Sequence, residues 1–173
     1  MKNLLVSLLF LIFSFVLAAQ TTIAPSEFSN PTISVGVVVA DLEKSIDFYT
    51  KVIGMSKTGE FSVDGDKSKE LGLTDGRSID VTILKLEDSE NSTEWKLMSF
   101  GEKANHPKQK YMHDDNGMQY ITIFVHHLNP FIERAKKNNI KILSDKPSSL
   151  GDGNFFILVQ DPDGTFIELI GPK

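Results

Sequence analysis

No cysteine occurs in the 173 residues. That one absence excludes disulfides, thiolate metal sites and a cysteine nucleophile. Positive charge is also short: 18 Lys and Arg stand against 23 Asp and Glu, a net charge of −5. Nucleic-acid phosphates need a basic surface, so a nucleic-acid partner is not expected. No apolar run reaches the roughly 20 residues of a membrane-spanning helix. There is no Gly-x-Ser-x-Gly elbow and no phosphate loop, and Gly151-Asp152-Gly153 is a turn without the rest of a dinucleotide fingerprint. Histidine is scarce, with four in all. His126 and His127 are neighbours at a strand-to-helix corner, where adjacent side chains point to opposite faces and do not readily share an ion. His106 and His113 fall in a polar linker, where solvated side chains are the rule.

What is present begins with a leader. Lys2 precedes an apolar run from Leu4 to Leu17, broken only by serines, and Val16-Leu17-Ala18 supplies small residues for cleavage before Ala19 or Gln20. Residues 1–19 are therefore expected to be a cleaved signal peptide. The remaining protein would be secreted or periplasmic, with no membrane attachment after cleavage. Residues 20–31, polar and carrying two prolines, are expected to be a flexible lead-in.

The best-marked element follows. Ile33 to Val39 is a β-branched run with a strand's composition. Asp41 can cap a helix N-terminus, Leu42, Ile46, Tyr49 and Ile53 share one helical face, and Gly54 can take the left-handed ending. Strands are expected at Ser56 to Val63, Arg77 to Leu86 and Glu94 to Phe100, with a short helix near Lys67–Leu71. After a linker over 102–117 the plan repeats. Met118 to Val125 is a strand, Asn129 is expected to cap a helix with Pro130 at its first position, and strands are expected at Ile140 to Ser144, Asn154 to Gln160 and Thr165 to Ile170. The last two are joined by Asp161-Pro162-Asp163-Gly164, in which Pro presets the bend and Gly takes positive φ. The reading is an α+β domain over 32–172, made of paired βαβββ modules (32–101 and 118–172) that form a curved sheet around one cleft.

Two stretches carry a family resemblance. Val39-Ala40-Asp41-Leu42-Glu43-Lys44-Ser45-Ile46-Asp47-Phe48-Tyr49-Thr50-Lys51-Val52-Ile53-Gly54-Met55 resembles the first helix of glyoxalase I, and Gln160-Asp161-Pro162-Asp163-Gly164-Thr165-Phe166-Ile167-Glu168-Leu169-Ile170 resembles its last hairpin. With the repeated module between them, the chain resembles the vicinal oxygen chelate superfamily: glyoxalase I, extradiol dioxygenases, and bleomycin- and fosfomycin-resistance proteins. That fold hosts many chemistries.

The resemblance implies one divalent ion held by His and Glu from four strands. Its ligand positions fall on Ser34, Lys96, Tyr120 and Glu168, so only Glu168 keeps a ligand's chemistry. For the fourth strand, Glu94, Lys96 and Met98 stay open, and Glu94 would restore a second ligand. A buried carboxylate needs a positive partner, so a Lys96–Glu168 pair is expected to replace the ion. Strand alternation adds Met98, Phe100, Thr122, Phe124 and Phe166 to the cleft face. The expectation is a cleft that binds a small, partly apolar molecule without a cofactor. One alternative is a metal-dependent lyase or isomerase resembling lactoylglutathione lyase, with Glu168 as its catalytic carboxylate or metal ligand and one Zn, Ni, Mn or Fe ion. An extradiol-type dioxygenase ranks below it, because its ferrous site needs two His and a carboxylate. A homodimer stays open.

Overall fold

The computed structural model describes residues 27–102, 107–144 and 146–173. The signal peptide expected at 1–19, most of the lead-in and His106 lie outside the described residues. No helix among the described residues is long and apolar enough to cross a membrane.

The first module contains β1 (Ser34–Val38), α1 (Leu42–Asp47), β2 (Ser56–Val63), α2 (Gly65–Glu70), β3 (Ile79–Lys85) and β4 (Glu94–Ser99). The second contains β5 (Tyr120–Phe124), α3 (Asn129–Lys137), β6 (Ser148–Gly151), β7 (Asn154–Gln160) and β8 (Phe166–Gly171). The strands form two four-stranded sheets, ordered β1-β4-β3-β2 and β5-β8-β7-β6. In each, the strand before the long helix runs parallel to the module's last strand, and the other pairs are antiparallel. This is the paired βαβββ plan expected from the sequence.

Local chemistry explains the best-marked element. Asp41 accepts from the Lys44 backbone N–H at 3.2 Å and starts α1. The helix then widens, and Phe48–Ile53 is π-helical. The Gly54 and Met55 N–H groups both close on the Tyr49 carbonyl at 2.9 Å, and Gly54 ends the turn at φ 92°. Phe48, Tyr49, Val52 and Ile53, at i, i+1, i+4 and i+5, all turn inward from this segment.

These side chains join Leu84, Trp95 and Leu97 of the first sheet and Ile123, Ile157, Val159, Ile167 and Leu169 of the second in one hydrophobic core. The modules are thus halves of one body. Polar groups join them as well. Arg134 of α3 donates to the Val52 and Ile53 carbonyls at 2.8 and 3.1 Å, satisfying acceptors at the end of the first module's helix.

Two expectations need correction. The sixth strand is Ser148–Gly151, not Ile140 to Ser144. The hairpin to β7 turns at Asp152-Gly153, so pairing reaches only the residues adjoining that turn, while Leu143 makes a single bond to the Leu158 carbonyl at 2.8 Å. In α3, the cap position belongs to Leu128, and Asn129 already lies inside the helix. The Leu128 side chain is fully buried and its N–H donates to the Pro172 carbonyl at 2.7 Å, so packing rather than a polar cap fixes this start.

Candidate functional site

Register defines the faces of each sheet. Ser34 lies beside Glu94 and Gly36 beside Lys96, while Tyr120 lies beside Phe166 and Thr122 beside Glu168. Trp95, Leu97, Ile167 and Leu169 enter the core, so Glu94, Lys96, Met98, Phe166 and Glu168 take the opposite face, as alternation requires. Ser34 and Tyr120 each stand seven residues before the first residue of the corner, Asp41 and His127. By that internal repeat, Lys96 and Glu168 occupy equivalent places in the two sheets. Glu94 is instead the counterpart of Phe166.

The polar groups on these faces form two local clusters. On the first sheet Ser34 donates to Glu94 at 2.9 Å, and Lys96 forms an ion pair with Glu94 at 3.0 Å. The Lys96 ammonium, and then the Ser34 hydroxyl, hold the Glu94 carboxyl below its usual range. On the second sheet Thr122 donates to Glu168 at 2.6 Å. The partner of Lys96 is therefore Glu94, two residues away on its own strand, and not Glu168 as expected. A same-face neighbour is already within reach of the lysine, and Thr122 supplies Glu168 with a hydrogen bond. Phe166 is buried, whereas Tyr120 and Phe124 are largely exposed. Met98 packs on Gly36, where an added Cβ would stand 3.2 Å from the Met98 methyl carbon. Phe100 lies just past the end of β4, half-buried.

The donor set does not suit a divalent ion. At the four positions stand a hydroxyl, an ammonium, a phenol and one carboxylate, and the ammonium repels a cation. The nearby Glu94 carboxylate is already neutralised by Lys96. Among the described residues, no group of three or more His, Cys, Asp and Glu is placed to hold a metal.

Residues that sequence reasoning passed over form a cavity beside Phe166, the one expected cleft residue that lines it. Phe156 and Leu158 of β7 lie opposite Ile170 and Glu168, on the cleft face. Together with Phe166 and the linker residues Tyr111 and Met112 they surround a cavity of about 560 Å³. Asn154 to Gln160 was legible as a strand, but its unbroken apolar run from Phe155 to Val159 does not say which side chains face the cleft. Nothing local marked the linker as a wall.

The model of the glyoxalase/bleomycin resistance protein/dioxygenase superfamily matches residues 33–169. The chain belongs to that superfamily. Among curated proteins, uncharacterized YwbC of Bacillus subtilis strain 168 is 26% identical over 135 residues, covering 77% of this chain and 90% of YwbC. A glyoxalase family protein from Bacillus cereus superposes with a TM-score of 0.69 at 14% identity, over 86% of this chain and 97% of that one. The trypanothione-dependent glyoxalase I of Leishmania major gives 0.58 at 24% identity, over 83% and 87%. TnmS3, an antibiotic binding protein from Streptomyces, gives 0.56 at 16%, over 86% and 99%. At such identities these structures share the superfamily's fold, and the chemistry must be argued from this chain's own side chains.

Proposed function

We propose that this superfamily member is an exported protein that binds a small, partly apolar molecule on its cleft face without a divalent ion. The observation that carries the reading is Lys96. It occupies the place equivalent to Glu168, where the resemblance calls for a metal-binding carboxylate, and it forms an ion pair with the one acidic neighbour that could have replaced it. The cavity over Phe156, Leu158 and Phe166 supports it, because apolar concavities of roughly 300–1,000 Å³ suit small organic ligands. The antibiotic-binding neighbour offers a precedent for binding on this fold.

A metal-dependent lyase resembling glyoxalase I is the second reading. Glu168 favours it, half-buried on the cleft face and ready to serve as ligand or base. Metal retention separates the two. The chain, purified without chelators and incubated in turn with Mn, Fe(II), Ni and Zn, is expected to retain far less than one ion per chain after desalting. Near-stoichiometric retention that Glu168→Ala removes would overturn the metal-free reading.

Export rests on Lys2 and the apolar run to Leu17. Expressed in a bacterial host, the chain is expected in the periplasm or medium, with N-terminal sequencing beginning at Ala19 or Gln20. A cytoplasmic product starting at Met1 would refute export and leave the binding reading untouched.

A further inference from the structure

The segment from Gln109 to His113 lies across the second sheet and is tied down at its start. Gln109 donates its side-chain amide to Gln119 Oε1 at 2.6 Å, and the Gln160 amide donates to the Gln109 carbonyl at 3.1 Å. Tyr111 and His113 stack, with ring centroids 5.5 Å apart and planes within 4°. Facing them are Phe156, Leu158 and Phe166 on the sheet. The cavity between has an aromatic wall and an apolar floor.

Its charge is one-sided. Lys110 and Lys141 line it, and none of the described residues lining it is acidic. The Lys110 ammonium sits 5.1 Å from the Tyr111 ring centre, beside the stacked wall. Asp114, next to His113, is already engaged by the backbone N–H groups of Lys110 and Tyr111, each at 2.8 Å. Ser144, also in the lining, has a buried hydroxyl with no hydrogen-bond partner among the described residues. An unpaired buried hydroxyl is costly, and an acceptor on a ligand would relieve it.

We propose that this cavity takes a flat aromatic monoanion, an arenecarboxylate or arenolate, with its ring between the Tyr111 wall and the Phe156–Phe166 floor and its charge at Lys110 and Lys141. The proposal rests on the small-molecule reading above and narrows it to a ligand class. Rings stack on aromatic side chains in offset or edge-on fashion. Two exposed lysines in the lining favour an anion and disfavour an ammonium ligand of the same shape.

The test uses three probes of one ring system: naphthoate, naphthylmethanol and naphthylmethylammonium. Each is titrated calorimetrically into the purified chain at low salt. Naphthoate is expected to bind roughly tenfold more tightly than the alcohol, the sum of two partly exposed charge contacts. The ammonium should bind most weakly. In the Lys110→Gln/Lys141→Gln double variant naphthoate should fall to the alcohol's affinity, with the alcohol unchanged. Leu158→Trp, which fills the cavity, should abolish binding of all three. If that variant does not fold, Tyr111→Ala removes the outer wall instead and should weaken all three. Equal affinities, an anion preference that survives loss of both lysines, or binding unaffected by the cavity variants would overturn the proposal. Equal affinities would leave the small-molecule reading standing. Failure of all three probes would overturn the ligand class, while metal retention decides the broader reading independently.

Discussion

Asp161→Ala is expected to lower the melting temperature by roughly 10 °C, the equivalent of about 3 kcal/mol or more in a domain of this size. Asp161 is buried, and its two oxygens hold three donors. Oδ2 accepts from the fully buried Tyr49 hydroxyl at 2.8 Å, while Oδ1 accepts from the Asp163 and Thr165 backbone N–H groups at 3.0 and 2.8 Å. Truncation leaves all three unpaired, one of them deep in the core. Tyr49→Phe removes a single bond and should cost only about 1–2 kcal/mol. A thermal melt in which the two variants match would show that the hydroxyl-carboxylate contact dominates the turn.

Asp161 also has a pH signature. Burial raises its carboxyl above the usual 3.8, although hydrogen bonds from Tyr49 and Thr165 act against that shift. Between the unfolded and folded values, the folded chain keeps a proton that the unfolded chain has released. The Asp161 contribution is therefore complete below the unfolded value and declines as pH rises through the folded one. In Asp161→Asn this decline should vanish from urea midpoints measured across the acid range. An unchanged slope would assign it to another group.

Gly171→Ala is expected to destabilise by roughly 3 kcal/mol, at the upper end of the cost of overpacking. An added Cβ at Gly171 would stand 2.1 Å from the Val125 carbonyl oxygen and 2.9 Å from Val125 Cγ2. The first obstacle is backbone, which cannot rotate away as a side chain can. It is also pinned: Val125 N–H donates to the Ile170 carbonyl at 2.8 Å and Leu128 N–H to the Pro172 carbonyl at 2.7 Å. The end of β8 passes this close because the chain turns here from β5 into α3. Denaturant unfolding of the variant measures the cost, and a loss under about 1 kcal/mol would show that the corner yields.

The sequence disclosed the fold where the cause was local. Asp41, Gly54 and the Asp161–Gly164 turn act within a few residues of themselves, and the internal repeat then supplied the arrangement. Cleft-facing parity in β1, β4, β5 and β8 was legible for the same reason, since alternation is a property of each strand alone. The roles of Asp161 and Asp163 were not legible beyond the turn. Tyr49 and Asp161 are 112 positions apart, and Asp163 bonds the Ala40 N–H at 3.1 Å and the Ser45 hydroxyl at 3.3 Å from the far side of the chain. The choice of Glu94 over Glu168 by Lys96 was hidden for a related reason. Both carboxylates share its face pattern, and only the three-dimensional positions of the strands decide which is within reach. The linker at Tyr111 and His113 has no periodicity, so its place over β7 and β8 could not be inferred from pattern.

The long-range bonds of Asp161 and Asp163 also set a timetable for synthesis. The first module's helix is completed by groups near the other end of the chain, and β8 lies between β5 and β7 in the second sheet. A nascent chain that lacks residues 161–171 has neither an acceptor for the Tyr49 hydroxyl nor a centre for its second sheet. The first sheet needs no residue beyond Ser99, but the pairing of β5 must wait until β8 leaves the ribosome, and contacts so distant in sequence close slowly even afterwards. No fragment that stops short of β8 can therefore finish the core.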